Sequence, residues 1–162
     1  MPADSHSAGE TRLAMFWAAL AAQYAGETHV RAHRVVAALI RTPAVRSLCL
    51  RAQLDPDRVR DAADDPHTLS FAECESRIEK DLAERGVTFL SKEHQAELQL
   101  RPLDPAVNPV FDREFARQGR LVISPLSLLY EIVRSDVAIA ARLASQGLTI
   151  ERLEEEVGNA SD

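Results

Sequence analysis

Apolar positions recur along the chain at helical spacing. Leu13, Phe16, Trp17, Leu20 and Tyr24 fall at i, i+3, i+4, i+7 and i+11, one face of a helix. Ala14, Ala18, Ala19, Ala21 and Ala22 fill most of the remaining positions, so neighbours can approach from several sides. Gly26 supplies the stop. Val35, Val36, Leu39 and Ile40 predict a second helix ending near Arg41. Thr42-Pro43 then reads as N-cap and first helical residue of a third, with Val45, Leu48, Cys49 and Ala52 inward. Asp55-Pro56 repeats the device and opens a fourth with Val59 and Ala62. The acidic stretch Asp61 to Thr68 carries Pro66 and reads as a loop.

Beyond it, Phe71, Cys74, Ile78 and Leu82 predict a helix over Ser70 to Arg85, with Gly86 as its stop. Ser91 caps a short helix through Leu98, and Pro102, Pro105 and Pro109 punctuate the next stretch of chain. Residues 101–108 carry no readable pattern. Phe111 and Phe115, with a stop at Gly119, mirror the first helix. Ser124-Pro125 caps a helix with Leu128, Leu129, Ile132 and Val133. Ser135 starts the next, with Val137, Ile139, Ala140 and Leu143, and Thr149 caps the last, with Ile150, Leu153 and Val157. No stretch alternates like a strand, so the pattern predicts an all-α fold.

The end of the chain restates its beginning. With Gly26 over Gly119 and Val30 over Ile123, Leu39-Ile40-Arg41-Thr42 falls on Ile132-Val133-Arg134-Ser135. Leu50 falls on Leu143 and Gln53 on Gln146; after the inserted Gly147, Leu54 meets Leu148 and Asp55 meets Thr149. The expected architecture is one domain of two pseudo-symmetric four-helix repeats, residues 10–62 and 104–157, joined by a helical linker over 63–103. One such unit cannot enclose a core alone, whereas two stacked on a pseudo-twofold can.

This doubled unit resembles the N-terminal domain of the Clp-type AAA+ unfoldases. The resemblance rests on Val30-Arg31-Ala32-His33-Arg34-Val35-Val36 in the first copy and Ile123-Ser124-Pro125-Leu126-Ser127-Leu128-Leu129 in the second. It rests also on the close of the second copy, Gln146-Gly147-Leu148-Thr149-Ile150-Glu151-Arg152-Leu153. It implies a non-catalytic protein-binding module without ATPase modules, whose partner is a Clp unfoldase or its client proteins. Such a module acts as adaptor, regulator or substrate-binding accessory in proteolysis or remodelling. In some Clp domains a glutamate of the Thr-Glu-His motif helps hold phosphorylated arginine. Here that position is His33 in one copy and Leu126 in the other, and the family's early threonine falls on Ala8. A guanidinium needs a carboxylate at short range, so phosphoarginine binding is not carried over. The departing positions at the start of each second helix, His33, Arg34, Leu126 and Ser127, are the candidate partner-binding residues.

Composition narrows the remaining choices. The chain has 162 residues and a formal net charge of −6, which opposes nucleic acid and anionic membranes as partners. Nearly all its bases are arginines dispersed over several helices; Lys80 and Lys92 are the only lysines. Met1 to Glu10 lacks a basic n-region, and the longest apolar run, Leu13 to Ala22, is short of a membrane span, so a cytoplasmic location is expected. Two cysteines, Cys49 and Cys74, make no disulfide framework and read as buried thiols. No P-loop, Gly-x-Ser-x-Gly or His-Glu-x-x-His motif occurs, so neither an enzyme nor a cofactor is expected. His29 and His33 have ligand spacing but no third donor beside them, and no metal site is assigned. Trp17 and Tyr24 read as core, with a groove lined by Trp17 as the other reading. The alternative function is a self-associating structural or regulatory protein, a homodimer through the stripe Phe71, Cys74, Ile78, Leu82.

Overall fold

A computed structural model describes residues 2–84, 86, 102–107, 109–110 and 124–161, with side chains over 9–84, 86, 102–107, 109–110 and 124–158. Among these residues the chain is all-helical. In chain order the helices are α1 (Pro2–Tyr24), α2 (Ala32–Ile40), α3 (Pro43–Arg51), α4 (Pro56–Ala63), α5 (Phe71–Glu84), α6 (Pro125–Ser135), α7 (Val137–Ala144) and α8 (Ile150–Ser161). The one extended contact among the described residues is an isolated parallel bridge, Val30 to Leu103. Val30 donates its N–H to Pro102 O (2.8 Å), and Asp104 donates to Val30 O (3.0 Å). The helix expected over Ser91–Leu98 and the Phe111, Phe115, Gly119 pattern lie outside the described residues.

α2 is the centre of the molecule. Every residue from His33 to Ile40 is buried, and the helix packs against α1, α4 and α6, with lighter contacts to α3 and α5. A helix apolar on nearly all sides must be surrounded, and this one is. α1 reaches back to Pro2, well ahead of the apolar face read from Leu13. Its alanines do what small residues permit: Ala18, Ala21 and Ala22 have no exposed surface, and α2, α5 and α6 all lie on the helix. Leu13 itself is 52% exposed, off the packed face. At the end of α1, Gly26 takes a left-handed conformation (φ 74°) and Glu27 donates to Ala22 O, closing the last turn.

α5 covers the α1–α2 layer from one side. Phe71, Cys74 and Ile78 are buried in the common core and Leu82 packs against it. The stripe that suggests self-association is therefore spent within the chain. α1 is tied to α5 by Tyr24 Oη donating to Asp81, and α2's end to α5 by Arg41 paired with Glu75. The Arg41 guanidinium also stacks over Trp17, 4.1 Å from the ring centroid. Trp17 is thus core under a cationic lid.

α6, α7 and α8 cover the other side, α6 against α1, α2 and α3 and α7 against α4. Caps decide where these helices begin. Asp55, Ser124, Asp136 and Thr149 accept from Asp57, Ser127, Ile139 and Arg152 N–H, respectively. Four details differ from the sequence reading. Asp136 rather than Ser135 caps α7; Ser135 ends α6 and donates to Glu131 O. Thr42 stands at the N-cap of α3, but its hydroxyl donates backwards to Leu39 O, bracing the end of α2. Val137, at the first position of α7, is 83% exposed rather than core, and the inward face of α4 is Pro56, Val59 and Ala63, with Ala62 only half-buried.

α3 and α7 close in the same way. Gln53 (φ 62°) and Gly147 (φ 94°) are left-handed, and Leu54 and Leu148 donate back to Cys49 O and Leu143 O. The two turns meet: a Cβ at Gly147 would stand 2.7 Å from Leu54 Cδ2, so a side chain there would push Leu54 aside as well as strain the left-handed backbone.

Candidate functional site

The four residues singled out from the sequence do not share a surface. His33 and Arg34 are nearly or wholly buried, at 5% and 0% exposure. They sit in a polar cluster with Glu27, from the turn before α2, and Asp64, just after α4. Arg34 Nε donates to Glu27 Oε1 at 2.8 Å, and its Nη1 lies 3.8 Å from Asp64 Oδ1. The His33 ring stands between the same carboxylates, Nε2 3.9 Å from Glu27 Oε2 and Nδ1 3.8 Å from Asp64 Oδ1. Asp64 Oδ2 accepts from Phe71 N–H at 2.9 Å and so holds the start of α5. The cluster pins the entry to α2, the end of α4 and the start of α5 together. Arg34 has no surface to offer a partner. Ser127 is 8% exposed, its N–H donated to the Ser124 hydroxyl, and Leu126 is half-buried against the core.

Cys74 borders this cluster. Burial pushes its thiol above the ordinary range; Arg34 opposes that, and Asp64 and Glu27 add to it. Cys49 is likewise pushed up by burial, with Arg46 opposing. Both are buried free thiols, without the thiolate character a nucleophile needs. Among the described residues no group of three or more His, Cys, Asp or Glu side chains is placed to hold a metal ion, and no helix is long and apolar enough to cross a membrane.

A cleft of about 440 Å³ borders His33. One wall is the start of α2 (Arg31, Ala32, His33), another the segment after the bridge (Asp104, Ala106, Val107, Val110), and the third the end of α6 with α7. Val107, Val110, Ile132 and Ile139 give it an apolar floor. Its charged rim is Arg31, Asp65, Asp104, Asp136 and Arg142. Of the sequence candidates only His33 reaches it; Arg34, Leu126 and Ser127 do not.

The rim aspartates have local work. Asp65 accepts from His67 N–H at 2.9 Å and pairs with Arg31 at 3.6 Å. The His67 N–H is the main cause holding its carboxyl below the usual carboxylate range; desolvation opposes it, and the neighbouring His33, His67 and Arg31 help. Asp104 accepts from Ala106 N–H and Asp136 from Ile139 N–H. Arg142 differs: its Nε is buried with no hydrogen-bond partner, and it joins no ion pair among the described residues. The start of α2 is also open, with no side-chain cap and no acidic residue in its first turn. The sequence reading misses this rim because the wall of Asp104, Ala106, Val107 and Val110 starts in the stretch without a pattern. The available signals are Asp104-Pro105, a turn opener, and Arg142, a lone charge on an apolar helix.

No family model and no curated protein sequence matches the chain.

Proposed function

We propose that the chain is a non-catalytic protein-binding module similar to the Clp unfoldase N-domain, an adaptor, regulator or client-binding accessory of such a motor. The observation that carries this reading is the cleft between the start of α2 and the α6–α7 corner, an apolar floor with a charged rim. Clefts between helices with convergent polar groups are the usual place for ligand or peptide anchors.

Support for the doubled unit comes from the matched helix closures. α3 ends at Gln53 and α7 at Gly147 with the same left-handed turn, and a capped helix follows each. α2 packs on α4 as α6 packs on α8. These turns pair Gln53 with Gly147 and Cys49 with Leu143, one position away from the register read in the sequence. On this reading, residues 10–62 and 104–157 are the two copies, and the cleft lies where they face each other.

The test is capture from the lysate of the source cells with the tagged chain and with Ala138→Trp, which fills the cleft from an exposed position. A Clp-type unfoldase subunit recovered in fixed ratio, and lost with Ala138→Trp, identifies an adaptor of the motor. A broad motor-free set, lost in the same way, identifies a client-binding module. Identical recoveries with both baits, or the bait alone, count against the reading.

A further inference from the structure

The rim of the cleft carries more negative charge than positive. Its two arginines and three aspartates give 2 − 3 = −1. Arg31 and Asp65 pair at 3.6 Å and largely cancel. What remains is Asp104 and Asp136 against Arg142, and none of these three joins an ion pair among the described residues. Each of the two aspartates has one oxygen committed. Asp104 Oδ1 accepts from Ala106 N–H and Asp136 Oδ1 from Ile139 N–H. The second oxygen of each accepts from no described group, and both residues keep part of their surface exposed. The whole chain, at −6, adds a long-range field of the same sign. Local and global charge both favour a cation.

Two single acceptor oxygens suit one kind of cation. A guanidinium gains most by gripping both oxygens of one carboxylate, whereas an ammonium is a point charge with three rotatable donors. The floor selects in the same direction. Val107, Val110, Ile132 and Ile139 place apolar surface beside the rim. A lysine stem buries on such surface while its charged head stays at the wet edge. Resting on the cleft as the protein-binding site, we propose that it receives a lysine side chain from a basic segment of a partner protein. The stem lies on the apolar floor, and the ammonium meets the open oxygens of Asp104 and Asp136. Arg142 opposes the incoming charge, which keeps the hold weak and salt-sensitive.

The experiment is fluorescence polarisation of the full chain with labelled decapeptide pools, blocked at both ends so that no terminus carries charge. The pools share aliphatic residues and differ at one central position, which is Lys, Arg, Gln or Glu. At about 10 mM ionic strength, where charges act over about 30 Å, the Lys pool is expected to bind about fivefold tighter than the Gln pool. It is expected to bind at least as tightly as the Arg pool, more tightly than the Glu pool, and to lose its lead at about 1 M salt. Asp104→Asn with Asp136→Asn preserves the turn and the helix cap and is expected to bring the Lys pool down to the Gln level. Arg142→Gln removes the opposing charge and is expected to tighten the Lys pool about twofold, a gain that misfolding does not produce. Glu154→Gln, at an exposed acid on α8, is expected to change nothing. Equal binding of the Lys and Gln pools, abolished by Ala138→Trp, overturns lysine capture while leaving the cleft as a peptide site. A tighter Arg pool overturns lysine in favour of a guanidinium. A lead that survives Asp104→Asn with Asp136→Asn, or that Glu154→Gln reduces as much, belongs to the acidic chain at large and overturns the inference. No binding by any pool, or binding untouched by Ala138→Trp, overturns both this inference and the cleft as the protein-binding site.

Discussion

Replacing Arg34 by methionine tests the account of the buried cluster. Methionine keeps most of the unbranched length of the side chain, so packing loss is small and the charge is what disappears. The guanidinium has no exposed surface, one direct bond to Glu27 at 2.8 Å and a second carboxylate, Asp64, at 3.8 Å. At an effective dielectric near 20, those separations correspond to gross attractions of about 6 and about 4 kcal/mol. Most of this is offset by the desolvation of Arg34 that the variant no longer suffers. The loss that persists is that of stranding two carboxylates, and breaking such buried pairs costs about 3–5 kcal/mol. Urea denaturation followed by circular dichroism measures it. A second variant, Arg34→Met with Glu27→Gln, removes one stranded charge and is expected to recover about half of the loss. A cost under about 1 kcal/mol for Arg34→Met, or no recovery in the pair, refutes the claim that the cluster is held by charge.

Other outcomes rest on single features. Gly147→Ala is expected to cost about 1–2 kcal/mol, because the left-handed backbone is strained for alanine and its Cβ meets Leu54 Cδ2; Gln53→Gly is expected to be neutral or to stabilise by up to about 1 kcal/mol, and thermal melts of both decide. Asp136→Ala removes the cap of α7 and is expected to cost about 1 kcal/mol, whereas Val137→Ser, at an exposed neighbour, stays within about 0.5 kcal/mol by the same urea assay. Asp65 is held below its ordinary value of 3.8 chiefly by the His67 N–H, so its contribution to stability is present above that value and lost as pH falls through the lowered one. Asp65→Asn should therefore narrow the stability gap between neutral pH and strongly acid pH, and an unchanged acid limb of the pH–stability curve would count against it.

Much of the fold can be read from local chemistry. α2 announces itself by an apolar run closed by Thr42-Pro43, and Asp55, Ser124 and Thr149 cap as their residue types suggest. Where two capping residues compete, as Ser135 and Asp136 do, composition does not choose; the earlier one is drawn into α6 through its bond to Glu131. Val137 shows the same limit, since its apolar type says nothing about the side of a helix start that faces water. The polar cluster is half-visible. His33 and Arg34 stand out as odd at the start of an apolar helix, but their partners Glu27 and Asp64 meet them only through packing, Asp64 from the far end of another helix. The cleft is least legible, because its residues come from four separated stretches and one lacks periodicity.

The bridge between Val30 and Leu103 bears on the order in which the molecule forms. Its two backbone bonds close a loop of 103 − 30 = 73 residues. Closing a flexible loop of that length costs about 4 kcal/mol of chain entropy, more than two such bonds return on their own. On this arithmetic the contact needs Val30 already held by the packing of α1 and α2, and the wall residues Asp104, Ala106, Val107 and Val110 follow Leu103 in the chain. The cleft therefore depends on contacts between distant parts of the chain, and a chain that ends at α5 lacks both the bridge partner Leu103 and the α6–α7 wall.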